Sequence, residues 1–160
     1  MRRRSVVSLA LAVAVVAVLA SAHPSHAQSR NPMVGRWALD VAKSSGSGAM
    51  PRSRDLTISQ AGSDITVVVN EISADGAALE WQFTTRGDGK PVPVTGWTAI
   101  DSATSTLDGN TGKTVYMKDG KQVLETNTEV SPDGKVLRIK GTRLDASGKP
   151  YPYTGHYDRK

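Results

Sequence analysis

The chain has 160 residues, a formal net charge of +5 and no cysteine. Arg2, Arg3 and Arg4 stand in a leader-like start, and without residues 1–27 the remaining 133 residues carry 17 basic and 15 acidic side chains, net +2. That balance excludes a strongly basic nucleic-acid footprint, the missing cysteines exclude disulfides and thiolate chemistry, and the length suits one domain rather than two.

In chain order the first element is a secretion signal over residues 1–27. Arg2 to Arg4 form its positive region and Val6 to Leu19 an apolar run. Ser25-His26-Ala27 gives a small-residue cleavage site before Gln28, with Ala20-Ser21-Ala22 as an alternative. The apolar run is about 14 residues, short of the roughly 20 that a permanent membrane helix needs. A secreted or periplasmic protein with no membrane span is expected. After the signal the reading gives a disordered polar arm over 28–33 and one domain over 34–160. Of the three histidines only His156 lies in that domain.

The domain reads as strands and turns. Asp-Gly pairs stand at 75–76, 88–89, 108–109, 119–120 and 133–134. Asp-Gly supplies the positive φ that tight hairpin turns require, so each pair predicts a turn. Between turns the period is two. Leu56 and Ile58 alternate with polar neighbours, as do Leu79, Trp81 and Phe83, and then Leu137 and Ile139. Such alternation gives an antiparallel sheet with one buried face. Only the stretch from Val41 to Met50 is open to a short helix, and its Ser44-Ser45-Gly46-Ser47-Gly48 centre favours a loop.

Residues 71–96 and 129–155 resemble each other. Glu71, Ser73, Asp75, Gly76 and Leu79 recur as Glu129, Ser131, Asp133, Gly134 and Leu137, and Thr85-Arg86 and Asp88 as Thr142-Arg143 and Asp145. Both segments close on Gly-Lys-Pro-x-Pro-x-Thr-Gly, and upstream Gly35 to Asp40 resembles Gly96 to Asp101. The reading is an internal duplication. The fold class expected is all-β, a single antiparallel barrel of eight to ten strands. Pro91 with Pro93, and Pro150 with Pro152, each leave one strand side without donors, so a seamless cylinder is not expected. Ile, Leu, Val and Phe make up only 24 of the 133 residues. The interior therefore closes on small and polar side chains or around a partly open lumen.

Gly35-Arg36-Trp37 opens this pattern and is similar to the Gly-x-Trp opening of lipocalins and other calycins. The Ser-x-Asp-Gly turns and Gly-Lys-Pro strand make the domain resemble small exported bacterial lipocalin-like proteins of unassigned function. The resemblance implies an up-and-down barrel in which Trp37 sits at the closed end under a late arginine. Arg143 and Arg159 are the two choices, and Arg159 is favoured because it lies on the last strand. The Thr-Asp-Tyr-like motif of true lipocalins and the Arg-x-Tyr clamp of fatty-acid-binding proteins are absent. Only the reversed Tyr157-Asp158-Arg159 is present.

Tyr151, Tyr153, Tyr157 and Arg159 share one face of the last strand, opposite Pro152, Thr154, His156 and Asp158. Trp81, Phe83, Tyr153, Tyr157 and Arg159 are the candidate ligand-binding residues: aromatic faces for an apolar body and a guanidinium for an anionic end. The plainer alternative is that the aromatics fill the core and Arg159 caps Trp37. No catalytic or metal-binding residue, cofactor or enzymatic activity is expected, since His156 lacks a nucleophile and the acidic residues are dispersed. Arg86-Gly87-Asp88 is read as a turn, not an adhesion motif. Two functions follow: a carrier or sensor of a small apolar or amphipathic ligand, or a protein-binding module or inhibitor with a filled interior. The second would use Gln28 to Val34 or Val41 to Ser53. A monomer is expected.

Overall fold

The computed structural model describes residues 31–144 and 147–160. The leader, residues 28–30 and Asp145 of the repeated segment lie outside the described residues. The described chain forms ten strands and no helix: β1 (Gly35–Gly46), β2 (Ser53–Ala61), β3 (Asp64–Ile72), β4 (Ala78–Thr85), β5 (Asp88–Pro93), β6 (Ser102–Asp108), β7 (Thr111–Lys118), β8 (Lys121–Val130), β9 (Val136–Leu144) and β10 (Pro150–Arg159). They form one sheet in the order β4-β3-β2-β1-β10-β9-β8-β7-β6-β5, and the hydrogen-bonded neighbours run antiparallel. Apart from the junction of β10 with β1, every pairing joins neighbours in sequence, and only β4 and β5 are neighbours that do not pair as strands. This is an up-and-down barrel, at the upper end of the expected strand number.

The barrel almost closes. Its two edges, β4 and β5, meet at one bridge just past β5, where Gln82 and Thr95 exchange N–H···O bonds of 2.9 and 3.0 Å. Proline explains the gap beside it. The Val94 N–H turns to Asp101 O on the β6 side. By alternation Pro91 and Pro93 therefore present their nitrogens, without hydrogen, to β4. Pro150 and Pro152 face a different interruption. Ser47 N–H reaches Pro152 O at 3.4 Å, so these prolines face β1 where its register slips between Asp40 and Ser45.

The same slip corrects the expectation for Val41 to Met50. The chain there is neither helix nor simple loop, because β1 continues to Gly46 through a bulge. Ser44 holds the bulge: its hydroxyl donates to Asp40 O at 2.7 Å and accepts the His156 N–H at 2.9 Å. A side chain thus replaces the missing ladder partner.

Four Asp-Gly pairs lie at or beside hairpin tips. The fifth, Asp88-Gly89, starts β5 one residue after the Arg86-Gly87 tip, where the register with β6 shifts. The Ser73 and Ser131 turns share their hydrogen bonds. In each, the serine hydroxyl donates to the aspartate, Asp75 or Asp133. That aspartate accepts the N–H two residues on, and the glycine N–H returns to the serine carbonyl. Pairing then diverges, because β9 and β10 form a full ladder while β4 and β5 do not. The upstream likeness also ends in different structures. Gly35 to Asp40 is strand, whereas Gly96 to Asp101 is the irregular connection from β5 to β6.

The core is the barrel interior. Trp37, Val69, Val130, Leu137 and Tyr157 are fully buried within it. One end is plugged. Trp37 Nε1–H donates to Met33 O at 2.9 Å, and the Arg159 guanidinium lies 4.0 Å from the Trp37 ring centre. Arg159 also donates to Gly134 O, Val34 O and Pro32 O at 2.5–2.8 Å. Arg159, not Arg143, is therefore the cover of Trp37. The plug also corrects the expected disordered arm: from Asn31 onward the segment packs on the barrel end, with Met33 buried. Its apolar side chain and its carbonyls are what the Trp37–Arg159 pair requires.

Candidate ligand-binding site

Strand parity brings Trp81 and Phe83 of β4 and Tyr153 and Tyr157 of β10 into the interior, where all four line the lumen. Trp81 and Phe83 stack 6.1 Å apart, and Tyr116 of β7 meets both edge-on at 5.8 and 6.1 Å. Trp97, from the connection after β5, leans over Trp81 at 5.5 Å. Tyr153 and Tyr157 share a hydroxyl–hydroxyl bond of 2.9 Å. The fifth predicted residue, Arg159, does not join them. It sits at the plugged end, where it donates to the backbone carbonyls of Pro32, Val34 and Gly134.

Toward the opposite end lies a charged group that sequence reasoning missed. Arg54 and Glu71 are direct cross-strand partners on β2 and β3, with Nη1 to Oε2 at 3.1 Å. Arg143 of β9 reaches across the lumen and donates from Nη2 to Glu71 Oε1 at 2.5 Å. The three side chains are only 11, 6 and 11% exposed. Arg54 lies 5.8 Å from the Trp81 ring centre and Arg143 5.1 Å from that of Tyr153. Each arginine–aromatic pair adds a cation–π contact. Among the described residues four buried donors lack a partner: Arg54 Nε, Arg143 Nε, Arg143 Nη1 and Trp81 Nε1. Burial opposes the Arg54 charge, yet its pKa is raised above the ordinary guanidinium value, with the Glu71 carboxylate the charged partner beside it. Burial likewise raises the phenols of Tyr153 and Tyr116, which stay protonated at neutral pH.

A signal for this group was present. Arg54 is in phase with Leu56 and Ile58, Glu71 with Val69, and Arg143 with Leu137 and Ile139. In the sequence Glu71 stands out only as a repeat marker and Arg143 only as a rival cover for Trp37, and Arg54 carries neither mark.

The lumen encloses about 90 Å³ of open space. That is room for about three waters, below the roughly 300 Å³ at which pockets take drug-sized ligands. Beyond it, at the unplugged end, lies a vestibule of about 430 Å³ among Pro51, Ser73, Asp75, Leu79, Ala99, Leu144 and Tyr151. Trp97 and Arg143 line both spaces and form the partition. Gly96 sets Trp97 in place: its φ is +90°, and a Cβ there would lie 2.2 Å from Glu80 O. His156 points to the outer face of β10, opposite Asp40 on β1.

No family model matches the chain, and no curated protein does so. Among solved structures, a zebrafish ileal bile acid-binding protein complexed with cholic acid is similar at 14% identity and a TM-score of 0.45, over 81% of this chain and 99% of that one. The siderocalin Ex-FABP is similar at 15% identity and a TM-score of 0.34, over 81% of this chain and 74% of that one. At these values neither protein's ligand is carried over to this chain.

Proposed function

We propose that the chain is an exported small-molecule-binding barrel that carries or senses an amphipathic ligand. The observation that carries this reading is the adjacency of two differently built spaces on either side of one partition. An aromatic lumen with unpartnered donors adjoins a vestibule of ligand size across Trp97 and Arg143. Apolar walls with a few convergent polar groups are the usual makeup of a small-molecule site. Trp97 stands on an irregular connection, and its displacement would join the two spaces. Export rests on the Arg2 to Arg4 and Val6 to Leu19 pattern alone. N-terminal sequencing of protein from the cell envelope is expected to find Gln28, and intact Met1 in a membrane fraction would overturn export.

The test of binding is a thermal melt with and without a lipid extract of the source cell. Wild type is expected to gain stability from the extract and Trp81→Ala to lose that gain. No shift in either protein would favour a protein-binding module. That second reading draws on the small lumen and on Val41, a large apolar residue that is 40% exposed within the 41–53 stretch.

A further inference from the structure

Glu71 is the one buried carboxylate among the described residues, and it faces two buried guanidinium groups. The buried group therefore carries one positive charge more than its own residues neutralise. The phenols of Tyr153 and Tyr116 do not supply the balance, because burial keeps them protonated. Three guanidinium nitrogens and the Trp81 indole N–H are also left open. Trp81 is 2% exposed and Arg143 9%, so bulk water does not satisfy these donors. A buried charge and buried donors left this way each cost free energy that one acceptor-rich anion would offset.

We infer that Arg54, Arg143 and Trp81 form a recognition site for the anionic head of an amphipathic carboxylate, with the head in the lumen and the apolar tail in the vestibule. The inference deepens the small-molecule reading and rests on it. The volumes fit this orientation. About 90 Å³ beside the open donors accepts a carboxylate and little more, while the vestibule, walled by Leu79, Leu144 and Tyr151, has room for a tail. Glu71 has a defined part: it bridges the two guanidinium groups and holds them facing the head, while leaving their remaining donors free. The carboxylate would accept from Arg143 Nη1 or Nε, from Arg54 Nε and from the Trp81 indole. Such charge-assisted bonds are stronger than those to a neutral head.

The experiment compares decanoate with decanol, equal in tail and different in head charge, by tryptophan fluorescence titration at neutral pH. Wild type is expected to bind decanoate at least about tenfold more tightly than decanol, the effect of one charge-assisted bond. Arg143→Gln and Arg54→Gln are expected to remove the preference, and far-UV circular dichroism of each variant reports that it is folded. Arg143→Lys keeps the charge and is expected to keep part of the preference. Equal binding of the two probes by wild type, or a preference that survives both glutamine variants, would overturn the anion site and leave the small-molecule reading standing. Binding of neither probe would overturn both.

Discussion

Glu71 shows how much hangs on single side chains in this interior. Removing its charge by Glu71→Gln leaves two guanidinium groups buried without a counter-ion, and is expected to cost about 3–5 kcal/mol. Arg143→Met is expected to cost less, because Arg54 and Glu71 remain as a balanced pair. Urea unfolding of the two variants checks the order, and a larger loss in Arg143→Met would contradict the charge inventory. Trp81→Ala is expected to cost roughly 3–5 kcal/mol in the same assay, since the ring is buried against Phe83, Trp97 and Tyr116. Trp81, Phe83, Tyr153 and Tyr157 were legible in the sequence, because parity and hydrophobicity agree at each. At Arg54, Glu71 and Arg143 the two signals conflict. Parity turns these residues inward while charge argues for water, and the partner that resolves the conflict for Arg143 lies 72 residues away. Local pattern does not contain that pairing.

Among the elements, the Ser-x-Asp-Gly turns give the clearest pH dependence. The Ser73 hydroxyl and Ala77 N–H lower the Asp75 pKa, and the Ser131 hydroxyl and Lys135 N–H lower that of Asp133. A folded pKa below the unfolded one gives stability that is present above the ordinary aspartate range and lost as pH falls through the folded value. The double variant Asp75→Asn, Asp133→Asn is expected to be less stable than wild type at neutral pH, with the difference closing below about pH 4. Melts across that range check it, and a constant difference would contradict it. The plug gives another expectation. Arg159→Lys keeps the charge but loses the planar fork that reaches three carbonyls at once, and is expected to cost about 1.5–3 kcal/mol by urea unfolding. A Gly-x-Trp motif and a last-strand arginine made this end readable. The ordered packing of Asn31 to Met33 was not, because that segment has no periodicity and is held by its carbonyls. The β1 bulge was hidden for a similar reason, since Ser44 and Gly46 are turn formers that tertiary pairing draws into a strand.

For the whole molecule, alternation and turn chemistry were enough to give the architecture, while the difference between its two ends was not readable. The two similar turns lie at opposite ends: the Ser131 turn receives Arg159 at the plug, and the Ser73 turn borders the vestibule. Similar turns thus serve different surroundings, and which end stays open depends on residues 31–34 and 94–101, whose packing is tertiary. The central claim is that the interior and vestibule hold a small amphipathic molecule. Native mass spectrometry of protein purified from its own source cell tests it most directly. The expected result is a species heavier than the bare chain by the mass of one small organic acid, reverting to the bare mass on denaturation and absent from Trp81→Ala. A wild-type protein that flies only at its bare mass, before and after incubation with the source cell's lipid extract, would contradict it.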